Sequence, residues 1–267
     1  MIFTNTGAPQ GTVLSPFLFS IYTADCRSSH TDCVMDKYAD DTVLTGLITG
    51  DDDSHYRQEI DSFVQWCERN YLELHVGKTK EMIMDFRRKS DQRAPVVIKG
   101  EVIERVAAYK YLGVYFDSGL SWKQNTEAVL KKAHTRLFCL RKLKSFQVRQ
   151  ELLQVFYSSS LSSVLTFGLS SWGGNISKHD KGALDKIIRK ASSVVGKTQD
   201  SLDTLYDRRV TKKLQDIMDD PTHPLRQEFD GQLIQRSGRM RVPKARTTRY
   251  LTSFVPQAVS HYNNCYC

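Results

Sequence analysis

Cys33-Val34-Met35-Asp36-Lys37-Tyr38-Ala39-Asp40-Asp41-Thr42-Val43-Leu44-Thr45 holds the densest signal in this chain. Cys33-Val34-Met35 and Thr42-Val43-Leu44-Thr45 read as two short strands, and Tyr38-Ala39-Asp40-Asp41 falls between them as the tip of a hairpin. Adjacent aspartates at such a turn put carboxylate off the end of a rigid sheet, and carboxylate oxygens suit Mg2+. Two such ions can activate an attacking hydroxyl and stabilise a leaving pyrophosphate. Asp-Asp pairs are common and mostly inert, so the dipeptide takes its meaning from its surroundings.

Upstream, Gly7-Ala8-Pro9-Gln10-Gly11 reads as a loop, with glycine for unusual φ and proline fixing a turn. Leu14 to Ala24 reads as an apolar helix with Leu14, Phe17, Leu18, Ile21 and Tyr22 on one side. Downstream, Ser54 opens a helix in which Tyr56, Ile60, Phe63, Val64 and Cys67 recur at helical spacing. Glu81–Phe86, Val96–Lys99, Val102–Val106 and Tyr109–Phe116 are strand candidates, with Lys99-Gly100-Glu101 as a turn. From Ser121 to Gly196 the pattern is helical. Val129, Leu130, Ala133, Leu137, Leu140 and Leu143 keep the period of a first helix, Val148–Leu165 forms a second, and Lys178–Val195 a third. Gly196–Cys267 is polar and punctuated by Pro221, Pro224, Pro243 and Pro256, and reads as an extended or loosely folded tail.

The formal charge of +8 favours a polyanionic partner, and its clustering strengthens that. Lys131, Lys132, Arg136, Arg141, Lys142, Lys144 and Arg149 fall between Glu127 and Glu151 with no acid among them. Arg236, Arg239, Arg241, Lys244, Arg246 and Arg249 form a second run of one sign. Solvated faces usually mix signs. Two such runs point to a surface that follows phosphates. Trp122, Tyr157 and Trp172 could stack bases, although aromatic residues at helical spacing more often build a core. His261-x3-Cys265-x-Cys267 offers three zinc-type ligands without a fourth at finger-like spacing, a weak signal. The six cysteines form no dense framework, which favours a reducing compartment, cytosol or nucleus. The sequence is read as having no lipid-spanning run, since stretches such as Val13–Tyr22 are interrupted and too short to cross a bilayer, and no membrane partner is expected.

Order and spacing give these pieces a family likeness. Gly7-Ala8-Pro9-Gln10-Gly11, an apolar helix and Tyr38-Ala39-Asp40-Asp41 resemble the second and third palm motifs of reverse transcriptases. Leu74-His75-Val76-Gly77-Lys78-Thr79-Lys80 is similar to the lysine-bearing fourth motif of non-LTR (LINE-type) retrotransposon enzymes. Tyr109-Lys110-Tyr111-Leu112-Gly113-Val114, followed by Leu120-Ser121-Trp122, resembles their fifth motif, the primer grip that leads into the thumb. Asp207-Arg208-Arg209-Val210, Asp220-Pro221-Thr222-His223-Pro224-Leu225 and Arg239-Met240-Arg241-Val242-Pro243 resemble the C-terminal end of vertebrate LINE reading frames.

The resemblance implies an α+β fold: a partial polymerase palm (antiparallel sheet with packed helices) at 1–116, a helical thumb at 117–196 and a partly ordered basic tail at 197–267. It implies that Asp40 is a metal ligand for Mg2+, with Asp41 a weaker one, and that Tyr38 and Ala39 shape the tip near the primer end. Gly7, Pro9, Gln10 and Gly11 would line the pocket for template and incoming deoxynucleoside triphosphate. Lys78, or its neighbour Lys80, would face the triphosphate. Lys131, Lys132, Arg136, Arg141, Lys142, Lys144, Arg239, Arg241, Lys244 and Arg246 would carry RNA template and DNA primer. His75 stands where such elements commonly carry Asn. The family also takes a catalytic Asp from a motif upstream of the Gly7 loop, where only six residues precede and none is acidic. The expectation is therefore a chain that does not polymerise alone. The alternative is a non-catalytic nucleic-acid-binding or interaction protein.

Overall fold

The computed structural model describes residues 12–50, 52–87, 93–232 and 238–266. The chain is α+β, mixed helix with small sheets, and divides into two compact units, Met1–Ala107 and Ala108–Cys267.

In the first unit, α1 (Leu14–Tyr22) precedes a hairpin of β1 (Cys33–Tyr38) and β2 (Asp41–Gly46), and α2 (Ser54–Arg69) follows. The strands are longer than their apolar cores suggested because Asp36, Lys37, Tyr38, Asp41 and Gly46 join the ladder. Burial alternates along β1, with Cys33 buried, Met35 and Lys37 half-buried, and Val34, Asp36 and Tyr38 exposed. β2 lies close against α2: a Cβ on Gly46 would meet the Tyr56 ring at 2.7 Å. Beyond α2 come β3 (Lys80–Glu81), β4 (Val97–Ile98), β5 (Glu101–Val102) and β6 (Glu104–Arg105). Lys99 and Gly100, both at positive φ, turn β4 into β5, as a two-residue hairpin loop requires.

The expected strand Glu81–Phe86 is a correction. Only Lys80 and Glu81 find a partner, in parallel with Glu104 and Arg105, and 82–86 carries no ladder. A strand needs a neighbour for its backbone groups, and apolar residues alone do not supply one. Ile60, Val96, Ile98 and Ile103 form this unit's buried cluster.

The second unit opens with another correction. Tyr109–Phe116 is not one strand but a hairpin of β7 (Ala108–Tyr111) and β8 (Val114–Asp117), turned by Leu112 and Gly113 at φ 45° and 89°. Gly113 relieves the left-handed strain that a second side chain would add. α3 (Lys123–Ser145) buries Val129, Ala133, Leu137 and Leu140. α4 (Gln150–Phe156), a π-helical segment over Tyr157–Ser162 and α5 (Ser163–Thr166) make up the second expected helix, and α6 (Leu169–Trp172) follows. The expectation of no lipid-spanning run is corrected: Gln150–Asn175 is long and apolar enough to cross a membrane, by length and composition alone. Its Leu153, Leu161, Leu165, Leu169 and Trp172 are buried in this unit's core. α7 (Lys178–Val195) begins at Ser177, whose hydroxyl accepts the Asp180 N–H at 3.0 Å, and ends at Gly196 with φ 76°.

The loosely folded tail is the largest correction. α8 (Leu202–Asp219) runs for 18 residues and buries Leu202, Tyr206, Val210, Leu214 and Ile217. These fall about one per turn, a narrow stripe among Asp207, Arg208, Arg209, Lys212 and Lys213 that escapes a search for broad amphipathicity. α9 (Gln227–Asp230) adds Phe229 and α11 (Phe254–Tyr266) adds Ala258 and Val259 to the same core, while α10 (Thr248–Leu251) between them buries none of its residues.

Candidate functional site

Tyr38 pairs with Asp41 as the last rung of the β1–β2 ladder, which leaves Ala39 and Asp40 as a two-residue turn. Ala39 sits at φ 53°, a left-handed position that costs a residue with a Cβ and that hairpin turns of this length demand. Tyr38, Ala39, Asp40 and Asp41 are all exposed. Both carboxylates therefore stand at the end of the hairpin in open solvent.

The hairpin and the loop before it are each tied down. The Lys37 ammonium donates to the carbonyls of Thr23 and of Cys26 (2.7 Å), just past the C-terminal end of α1, where a cation meets the negative end of the helix. Glu59 on α2, 2% exposed, accepts the N–H of Ser29 (2.7 Å), the N–H of His30 (3.0 Å) and the Ser29 hydroxyl. Burial raises the Glu59 pKa, but those donors outweigh it and hold the carboxyl below its ordinary value. An open cavity of about 450 Å3 lies beside the hairpin, lined by Phe19, Thr23, Cys26, Met35, Lys37 and Ala39 among others.

Lys78 ends a short 3-10 turn, Val76–Lys78, and His75 caps it, its Nδ1 accepting the Lys78 N–H at 3.3 Å. An asparagine side-chain oxygen can make the same kind of cap. Lys80 is committed elsewhere: its ammonium pairs with Glu104 at 2.6 Å and donates to the Gly77 carbonyl at 3.1 Å. Lys78 is exposed and makes no ion pair among the described residues. Gly7, Pro9, Gln10 and Gly11 lie outside the described residues. Asp25 accepts the Trp66 indole N–H at 3.3 Å and Asp32 faces His55 at 3.2 Å, each engaged away from the tip. Asp40 and Asp41 have the oxygen chemistry Mg2+ takes. Among the described residues, however, no group of three or more His, Cys, Asp or Glu is placed to hold a metal ion.

The basic run on α3 is exposed at Lys131, Lys132, Arg136, Arg141, Lys142 and Lys144, none of which forms an ion pair among the described residues. Trp122, Tyr157 and Trp172 are 5%, 4% and 0% exposed and belong to the core. The exposed aromatic residues of α3 and its end are Phe138 and Phe146, which sequence reasoning missed. It also missed Lys186, Arg189 and Lys190 on α7, because Asp180 and Asp185 give that helix a mixed sign. The structure engages Asp180 with Ser177 and turns Asp185 to the Leu202 N–H at 2.9 Å, leaving the three cations exposed. In the tail, Arg239, Arg241, Lys244 and Arg246 are exposed while Met240 between them is buried.

Comparison with known proteins places the hairpin in context. Residues 1–116 match the family model described as reverse transcriptase (RNA-dependent DNA polymerase). Residues 122–163 match a second model, alkylated DNA repair protein alkB homolog 8, N-terminal. The chain is 25% identical over 178 residues to the probable RNA-directed DNA polymerase from transposon BS of Drosophila melanogaster, covering 62% of this chain and 20% of that protein. It is 28% identical over 181 residues to the RNA-directed DNA polymerase from mobile element jockey of the same fly, covering 62% and 19%. The jockey polymerase of Drosophila funebris is 27% identical over 146 residues, covering 51% and 16%. The chain thus spans about a fifth of the length of the curated relatives it matches. No solved structure matches.

Proposed function

We propose that this chain supplies the catalytic hairpin, thumb and basic tail of a LINE-type RNA-directed DNA polymerase, and that alone it binds template and primer without extending them. The observation that carries the reading is the two-residue turn presenting Asp40 beside Asp41 inside the stretch that matches the reverse transcriptase model. In this reading Asp40 is the metal ligand and Asp41 its weaker neighbour, with Tyr38 and Ala39 shaping the tip against the primer end. Gly7, Pro9, Gln10 and Gly11 line the pocket for template and deoxynucleoside triphosphate. Lys78 faces the triphosphate, a role favoured by the engagement of Lys80 with Glu104. A divalent ion bound at Asp40 supplies charge neutralisation for nucleotidyl transfer. The chain spans about a fifth of the length of the polymerases it matches, and the reading assigns polymerisation to a longer assembly, working in the cytosol or nucleus.

Mn2+ added to the chain with an RNA–DNA hybrid tests this by paramagnetic broadening. The amide resonances of Ala39–Thr42 should broaden selectively, and Asp40→Asn should remove the effect; no broadening at the tip sinks the assignment. Primer extension by the chain alone should be absent. Extension that vanishes with Asp40→Asn would show that the site is complete.

The unpaired cations of α3 favour a second reading, a non-catalytic nucleic-acid-binding protein. That reading expects hybrid binding with no metal response at Asp40.

A further inference from the structure

α3 buries Thr126, Val129, Ala133, Leu137 and Leu140 on one side. At about 100° per residue, the opposite side is occupied by Lys131, Thr135, Phe138 and Lys142, continued by Phe146 at the helix end. Phe138 is 60% exposed and Phe146 76% exposed. These rings are therefore at the crest of the solvent face rather than at the rim of the core. Folding gains little from an aromatic ring held in water, and single exposed apolar residues are ordinary. Here two rings share one crest with cations that have no carboxylate partner among the described residues.

We propose that this crest binds a single-stranded stretch of nucleic acid by stacking bases on Phe138 and Phe146 while the flanking cations take its phosphates. The proposal rests on the nucleic-acid reading of α3 given above and adds the state of the strand. Base–aromatic stacking is open to any base and needs an uncovered base face, which the interior base pairs of a duplex do not offer. The Lys142 ammonium lies 5.9 Å from the centre of the Phe138 ring, so charge and ring are presented together. Eight helical residues separate the rings by about 12 Å along the axis. Bases along a stacked strand are about 3.4 Å apart, so roughly three bases fit in the span between the two rings. Lys131 and Lys142 share the crest, and Lys132 and Arg141 flank it. No acidic residue lies between Glu127 and Glu151 to repel a backbone.

Fluorescence anisotropy of the full chain, with oligo(dT) and with a blunt duplex of equal phosphate number, tests the proposal. The double variant Phe138→Leu, Phe146→Leu keeps helix propensity and every charge. It should weaken oligo(dT) binding by about thirtyfold or more while changing duplex binding by less than about twofold. The dependence on salt should be unchanged, since no phosphate contact is lost. Replacing both rings with Trp should restore oligo(dT) binding, and the added Trp emission should quench when the strand binds. Oligo(dT) affinity equal to wild type in the Leu variant, or equal losses for single strand and duplex, overturns the stacking proposal alone. A wild-type chain that binds neither probe overturns it together with the nucleic-acid reading. Lys131→Gln with Lys142→Gln should weaken both probes alike and lower the salt slope, which separates the charge contribution from the rings.

Discussion

Asn263 on α11 holds Met240 by both ends of its backbone: the Met240 N–H donates to Asn263 Oδ1 at 2.8 Å, and Asn263 Nδ2 donates to the Met240 carbonyl at 2.8 Å. One side-chain amide thus does for a lone buried residue what a neighbouring strand would do. Asn263→Ala leaves two backbone groups without partners beside a side chain 2% exposed. Such losses cost about 1–3 kcal/mol each where the group stays buried. The variant should lose about 2 kcal/mol or more in urea denaturation followed by circular dichroism. A variant as stable as the parent would mean that water replaces the amide without loss.

Asp117 closes the start of α3 in a comparable way. Its carboxylate accepts the N–H groups of Gly119 (3.1 Å), Ser121 (3.0 Å) and Trp122 (3.1 Å), and the Ser121 hydroxyl. Burial raises its pKa, but the donors prevail and hold it below the ordinary 3.8. A carboxyl depressed on folding contributes stability above its unfolded pKa, and that contribution is lost as pH falls through the folded value. Asp117→Asn should therefore cost about 2 kcal/mol at neutral pH, as hydrogen bonds to a charged group do. The gap to wild type should close in strong acid. A gap constant down to strongly acidic pH would rule this out.

The tail cations give a salt signature. Each phosphate contact contributes roughly 0.9 to the slope of log affinity against log salt. Alanine at Arg239, Arg241, Lys244 and Arg246 should flatten the slope by up to about four units, with similar weakening for RNA and DNA of unrelated sequence. An unchanged slope would make the tail an ordinary solvated segment.

The two units should open at different cost. The first unit's buried apolar cluster is Ile60, Val96, Ile98 and Ile103, and α1 buries none of its residues, with Leu14, Phe17, Leu18, Ile21 and Tyr22 exposed. The second unit's core draws on α3, α7, α8 and α11 together. Local opening follows buried apolar contact. Amides of β1 and β2 should exchange with deuterium on the order of a hundredfold faster than those of α7. Equal protection across the two units would contradict this.

Local patterns were legible in the residues themselves. The hairpin at Tyr38–Asp41, the turn at Lys99-Gly100 and the span of α7 from the Ser177 cap to Gly196 each depend on neighbours a few positions away. Tertiary structure decided what depends on distant partners. It folded Tyr109–Phe116 back on itself, left 82–86 without a ladder, and turned a polar tail into α8 because one apolar residue per turn found a core to enter. The same holds for charge. Sequence alone determined where cations cluster. Only the fold decided that Lys80 is paired with Glu104 and Lys78 is not, that Asp185 turns toward Leu202, and that Phe138 and Phe146 face water while Trp122 and Trp172 do not. The physical reason is that helix period and turn chemistry act over a few bonds, whereas burial and pairing are settled by residues tens of positions away that only folding brings into contact.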